Sequence, residues 1–246
     1  MRRLIVSDLP GNLDALEAGL EDARGAYDEP VCGGDIPGYG PSPAATAAWA
    51  RQHAAAFVRG NHDRVCAGLE EDDWFNEAAR AAARWTRAAL GAEELEWLRG
   101  LPAGPLLFED YELAHGAPFD EDEYLVEDAD VEGLDQILER PLCFAGHTHI
   151  QGGWQWTRGG VLRLPVPRAD ERERVIGLEP GTLYLINPGS AGQPRDRDPR
   201  AAYVLWDVPR RLLAFRRVPY DIAGAQRRIL EAGLPAWLAT RLALGR

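Results

Sequence analysis

The chain has 246 residues, 46% hydrophobic and 27% charged, which are the proportions of a folded globular protein and not of a disordered one. Acidic residues outnumber basic ones 39 to 27, and the resulting formal charge of −12 excludes general nucleic-acid coating and opposes docking on anionic membranes. Every basic residue is arginine, which removes Schiff-base lysine and P-loop lysine chemistry.

Arg2 to Val6 is predicted as a short strand ending in the turn Ser7-Asp8-Leu9-Pro10-Gly11-Asn12. A helix follows from Leu13 to about Arg24. Pro30-Val31-Cys32 is a second strand, halted by Gly33-Gly34-Asp35, and Ser42-Pro43 opens an alanine-rich helix to about His53. Ala55 to Val58 is a third strand, stopped by Arg59-Gly60-Asn61. Helices are expected at Asn76 to Leu90 and Ala92 to Arg99, then a hairpin from Leu106–Phe108 and Tyr111–Ala114. The acidic stretch Glu109 to Asp135 reads as solvated surface. Leu142 to Ala145 is a strand ending at Gly146-His147. Beyond it the chain reads mostly as strands, near 149–156, 160–166, 183–187, 201–207 and 211–218. From about residue 221 two short helices are separated by Pro235. No linker, internal repeat or low-complexity tract divides the chain, so residues 1–246 are expected to form a single domain. Strands alternating with helices, each strand three to five apolar residues long, point to a layered α/β fold with sheets buried on both faces.

The three cysteines, Cys32, Cys66 and Cys143, lack CxxC spacing and mark neither a disulfide framework nor a zinc knot. No secretory leader and no apolar run of membrane-spanning length is evident, so a cytoplasmic location is expected. The sequence carries no signal for an oligomeric state.

Polar residues suited to metal binding recur where strands stop. They are Asp8, Gly34-Asp35, Gly60-Asn61-His62-Asp63, His115-Gly116 and Gly146-His147-Thr148-His149, and they hold four of the five histidines. A lone Gly-Asp is ordinarily a turn, and a lone histidine is ordinarily a half-buried packing residue. Gly-His-x-His is more specific, because a period of two puts both imidazoles on one side of an extended segment. Carboxylates, imidazoles and an amide oxygen together suit Mn, Fe, Zn or Ni.

The ordered series resembles the calcineurin-like metallophosphoesterase superfamily, in its small bacterial phosphodiesterase-type branch. Gly38-Tyr39-Gly40-Pro41, Asn187-Pro188-Gly189-Ser190 and Gly192-Gln193-Pro194-Arg195 extend the likeness over nearly the whole chain. The resemblance implies a four-layer α/β/β/α sandwich of two mixed sheets flanked by helices, with two divalent transition metal ions. By the same resemblance, Asp35 bridges both ions. Asn61, His115 and His147 complete one site, and Asp8 and His149 belong to the other. Metal-activated hydroxide attacks phosphorus in a small phosphorylated substrate, while His62 assists departure of the leaving oxygen. Asn61, His62 and Arg195 contact the substrate.

One departure stands out. The metal-binding histidine of the family's first motif is Pro10 here, which has no ligand atom. The Asp8/His149 site is therefore expected to be weak or empty, with His53 the only spare imidazole. The readings are an enzyme with one strong and one exchangeable site, a pseudoenzyme that holds one metal or a phosphorylated ligand, and a structural module in which the cluster is accidental. Where the protein serine/threonine phosphatases carry Asp and Arg, this chain has Gly38 and Tyr39. That argues against protein phosphatase activity and for a smaller phosphodiester or nucleotide. Arg59, Arg64 and Arg197 are further candidate phosphate clamps. Trp154 and Trp156 are candidates for base stacking, with core packing the plainer role.

Overall fold

A computed structural model covers Met1–Arg246. In chain order, β1 (Arg2–Val6) leads into α1 (Leu13–Asp22), and β2 (Glu29–Cys32) into α2 (Pro43–His53). β3 (Ala56–Phe57) precedes α3 (Asn61–Ala67), α4 (Glu77–Ala89) and α5 (Ala92–Arg99). The hairpin β4 (Leu106–Leu107) and β5 (Glu112–Leu113) is followed by β6 (Leu142–Phe144), β7 (Gly152–Thr157), β8 (Gly160–Arg163), β9 (Glu173–Gly177), β10 (Leu183–Asn187), β11 (Ala201–Asp207) and β12 (Leu212–Val218). The chain closes with α6 (Ile222–Glu231) and α7 (Ala236–Leu244).

These strands form two mixed six-stranded sheets, ordered β3-β2-β1-β11-β12-β9 and β4-β5-β6-β10-β7-β8. Side chains alternate across each strand, and in the central strands both faces are apolar. In β1, Ile5 enters the core between the sheets, whereas Leu4 and Val6 face the helices. Phe144 from one sheet and Trp206 from the other meet at 5.6 Å in that central core, and Tyr111 meets Trp206 at the same distance. Helices α1, α2 and α5 cover the first sheet. Two 3₁₀ turns at Asp128–Val131 and Leu134–Gln136 place Val131 and Leu134 against the outer face of the second. The layered sandwich implied by the resemblance is thus present. A further cluster joins α3 and α4 to α6 and α7 through Val65, Phe75, Ala82, Ile229 and Leu238, which lays the C-terminal helices beside the ligand loops.

Two elements escape the sequence pattern. α3 has seven residues, all buried and mostly polar, so it shows no apolar stripe. β9 is an edge strand with Glu173 and Arg174, a charged run that reads as a loop. The strand expected from 149 begins instead at Gly152, because His149 is drawn into the site by its contact with Gln193.

Candidate metal centre and substrate cleft

Strands β1, β2 and β3 run parallel in one sheet, and β5, β6 and β10 run parallel in the other. The loops that leave their C-terminal ends carry Asp8, Asp35, Asn61, His115 and His147. Ligands gather at this edge in open α/β sheets because parallel strands end together there. Asp8 N–H donates to Gly34 O and Leu9 N–H to Asp35 O, each at 3.0 Å, so the first two loops continue the pairing of their strands. The loop after β10 supports them from the other side. Ser190 Oγ donates to Asp8 O at 2.6 Å, and Asn187 Nδ2 donates to Gly146 O at 2.8 Å.

The backbone at the site is strained. Asp8, Asp35, His147 and His149 have φ of 53°, 50°, 67° and 60°, in the left-handed region that costs a non-glycine residue roughly 1–2 kcal/mol. Gly60 is required for a different reason. A Cβ there would overlap Asp35 Oδ1 and come within 2.7 Å of His115 Cε1, so the loop closes on the ligands only without a side chain.

Two carboxylate–imidazole pairs define the geometry. His115 Nδ1 lies 2.7 Å from Gly33 O, and His149 Nδ1 lies 2.7 Å from Gln193 O. A carbonyl only accepts, so each Nδ1 carries the proton and each Nε2 presents a lone pair. Those Nε2 atoms face carboxylates at 3.5 Å, His115 toward Asp35 Oδ1 and His149 toward Asp8 Oδ1. Two facing acceptors repel unless a cation or a proton lies between them. A proton on either imidazole is disfavoured, since burial pushes His115 down to about 4 and His149 well below the usual imidazole range, and only the raised Asp8 carboxyl offers one in the metal-free protein. His147 uses the opposite tautomer. Its Nε2–H donates to Asp122 O at 3.0 Å, which leaves Nδ1 free. Burial, followed by neighbouring His115, lowers His147 to about 4.

The result is two sets of donor atoms, each within 4.8 Å of one another: Asp35, His115 and His147, and Asp8, Asp35 and His149. Asp35 belongs to both. Asn61 Oδ1 and His115 Nε2 are buried with no hydrogen-bond partner. Burial, followed by neighbouring Asp35, pushes Asp8 well above the usual carboxylate range. Unpaired lone pairs, neutral imidazoles and crowded carboxylates are what a bound divalent cation resolves, so the residues present fit the metal that the sequence implies.

Beside the donors lies a cleft of about 300 Å³ lined by both metal ligands and aromatic side chains. His62 sits in it, 4.3 Å from the Tyr39 ring and 4.6 Å from Phe75, with its backbone N–H donating to Asp35 Oδ1 at 2.9 Å. Burial lowers His62 to about 4, so it is neutral in the free protein. Gly38, at φ 109°, lets the loop pass close to His62, since a Cβ there would lie 2.8 Å from Nδ1. Arg195 reaches the same cleft, and its Nε is buried without a partner.

A family model described as the calcineurin-like phosphoesterase superfamily domain matches residues 1–211. The chain belongs to that superfamily. An uncharacterized protein of Methanocaldococcus jannaschii is 35% identical over 252 residues, spanning 98% of this chain and 97% of its own. A metallophosphoesterase from Sphaerobacter thermophilus is 39% identical, covers 100% of this chain and 99% of its own, and superposes with a TM-score of 0.87. A hypothetical protein from Pyrococcus horikoshii shares the fold at a TM-score of 0.77 and 19% identity, over 100% and 98% of the two chains.

The structure brings Asp8, Asp35, Asn61, His62, His115, His147, His149 and Arg195 to one place and sends other candidates elsewhere. His53 is exposed at the end of α2 and replaces no ligand. Arg59 is no phosphate clamp, because Glu121 takes its guanidinium at 3.0 and 2.7 Å. Arg64 is likewise consumed, by Glu70 at 2.9 Å, Glu121 at 2.9 Å and Asp122 at 2.6 Å. Arg197 lines a different groove. Trp154 is buried in the core, its Nε1–H on Asp128 at 2.9 Å, and Trp156 packs beside it; neither lines the cleft, so neither stacks a base there.

Several residues of the candidate site carry no signal in the sequence. Tyr124 stacks on His147 at 4.2 Å and 18°, and Asp122 orients the same ring through its carbonyl. Both lie in the acidic stretch read as solvated surface. Arg241 of α7 enters the cleft from more than 40 residues beyond the last motif residue, and no local pattern marks it.

Proposed function

We propose that the protein is a metal-dependent phosphoesterase acting on phosphodiester or nucleotide-type substrates. The observation that carries this reading is the pair of donor sets sharing Asp35, each with an imidazole lone pair aimed at a carboxylate. Asp35, Asn61, His115 and His147 hold one ion, and Asp8, Asp35 and His149 hold a second, weaker one. Mn, Fe, Zn or Ni suits this mixture of nitrogen and oxygen donors. A divalent ion bound there polarises a phosphoryl oxygen and makes water more acidic. Arg195 pairs with a substrate oxygen through its unpartnered Nε–H. His62, wedged between Tyr39 and Phe75, offers an N–H to the leaving oxygen, and the negative charge of bound phosphate raises its proton affinity. The open loop at Gly38-Tyr39 and the aromatic walls of the cleft favour a small ester over a protein substrate.

Pro10 supports a second reading, a protein that binds a single ion or a phosphorylated ligand with little turnover. One experiment separates the two. Purified protein is analysed for transition metals and then assayed with bis-(p-nitrophenyl) phosphate and added Mn²⁺. The enzyme reading expects retained metal, Mn²⁺-stimulated hydrolysis and loss of both in His115→Ala. Retained metal without turnover of diesters, monoesters or dinucleoside polyphosphates establishes the second reading.

A further inference from the structure

Two guanidinium groups line the cleft with no Asp or Glu side chain paired to them. Arg195 approaches Tyr39 Oη at 3.5 Å and Gln193 Oε1 at 3.4 Å, and its Nε meets nothing. Arg241, on α7, donates from Nε to the backbone oxygen of Arg246, the last residue. Both guanidinium carbons lie over one ring, 5.7 and 5.8 Å from the centroid of Tyr39. Other arginines near the site are neutralised, Arg59 by Glu121 and Arg64 by Glu70, Glu121 and Asp122. Burial, helped by repulsion from Arg195, pulls Arg241 down to about 10, so it is still charged at neutral pH. Two partly buried like charges sharing a small cleft repel, and an anion between them relieves the repulsion. Tyr39, whose ring both approach, lines the cleft with φ at 41°, a strained conformation for a non-glycine residue.

We propose that Arg241, together with Arg195 in the same cleft, forms a second anion subsite that receives a phosphoryl group adjacent to the one held at the candidate metal ligands. Preferred ligands then carry two linked phosphoryl groups, as nucleoside diphosphates and dinucleoside polyphosphates do. The cleft is arranged for this. Asp35, Asn61, His147 and His149 line it together with Arg195 and Arg241, and each guanidinium matches phosphate oxygens through paired N–H donors. The proposal rests on the phosphoesterase reading for which phosphoryl group is cleaved, but not for binding.

The test measures binding of ADP and AMP to Mn²⁺-loaded protein by calorimetry, in wild type, Arg241→Gln and Arg241→Lys. Wild type is expected to bind ADP about tenfold more tightly than AMP, the effect of one charge-assisted contact. Arg241→Gln is expected to bring the ratio to about twofold or less, and Arg241→Lys to restore part of it. Chelation of metal by the diphosphate affects all three proteins alike, so the change in ratio reports on residue 241. Equal ADP and AMP affinities in wild type, or an unchanged ratio in both variants, overturns the subsite. A tenfold preference that vanishes in Arg241→Gln supports the subsite even in a protein without turnover, which instead counts against the phosphoesterase reading.

Discussion

Asp63 holds Asp35 from behind. Its carboxylate accepts the backbone N–H groups of Asp35 at 2.8 Å, Ile36 at 3.1 Å and Gly60 at 2.7 Å, while the N–H of its neighbour His62 donates back to Asp35 Oδ1. The loops after β2 and β3 are thereby stitched together, and the Asp35 carboxylate that both donor sets share is held in place by backbone donors. Burial and the nearby charge of Asp35 raise Asp63, and the three N–H donors oppose the rise.

Asp63→Asn tests this stitching. The amide oxygen can keep two of the three donors, but its NH₂ then meets an N–H that it cannot accept. An unpaired buried N–H costs about 1–3 kcal/mol, and loss of a group that orients a ligand typically costs 10- to 100-fold in metal affinity. We expect both losses, read from denaturant melts of metal-free protein and from competition with a chelator. Normal metal affinity in a destabilised variant would limit Asp63 to a folding role.

Arg64 is the second test. Although near the cleft, it is spent on Glu70, Glu121 and Asp122, and Asp122 in turn orients His147. Arg64→Ala should destabilise the fold by about 2 kcal/mol, less than for a fully buried pair because Asp122 and Glu70 are partly exposed. It should also weaken metal held by Asp35, His115 and His147 more than phosphate inhibition at saturating metal. Normal metal uptake with lost phosphate affinity would restore the clamp role.

Metal uptake at the Asp8 side should depend on pH with a defined sign. Burial and Asp35 raise the Asp8 carboxyl, so the metal-free protein keeps a proton there at a pH where a free carboxylate has none. His149, the imidazole of this donor set, is held by burial well below the usual imidazole range and has no proton to lose at neutral pH. Binding therefore releases a proton from carboxylate and strengthens as pH rises, until the raised Asp8 value is passed. Calorimetry in buffers of different ionisation enthalpy should detect up to about one proton per ion bound at this site. Asp8→Asn should abolish the release, and unaltered release in that variant would place the proton elsewhere.

The ligand residues were legible because they follow strand ends, with a glycine adjoining Asp35, Asn61, His115 and His147, and these are local signals. Asp8, Asp35, Asn61, His115, His147 and His149 all reach one edge as the motif series implies. What supports them is not local. Asp122 and Tyr124 lie in an acidic segment whose composition reads as solvated, and only tertiary packing sets them against His147. The left-handed backbone of Asp8, Asp35, His147 and His149 is equally hidden, since nothing in an aspartate or a histidine announces a positive φ. α3 was invisible because a wholly buried polar helix has no apolar stripe to detect.

Pro10 is where sequence and structure meet most directly. The N–H groups of Leu9 and Gly11 donate to Asp35 O and Ile36 O at 3.0 Å each, so the backbone pairs on both sides of a residue that has no N–H to offer. Pro10 O accepts from Gly40 N at 2.8 Å, and Gly192 packs so closely on the ring that a Cβ there would lie 2.9 Å from Pro10 Cδ. The loop is thus fitted to proline, and Asp8, Asp35 and His149 remain as the donors of that site. Pro10→His adds an imidazole at the cost of the proline's fixed φ, about 0.4–1 kcal/mol of stability. If the missing ligand limits activity, the variant should need roughly 10- to 100-fold less Mn²⁺ for half-maximal hydrolysis of bis-(p-nitrophenyl) phosphate. Its turnover should rise, and adding His62→Ala should remove that gain. The readouts are a Mn²⁺ titration of the rate and the metal content after gel filtration. A folded Pro10→His protein with the parent's Mn²⁺ dependence and metal content would show that the proline is not what sets the activity.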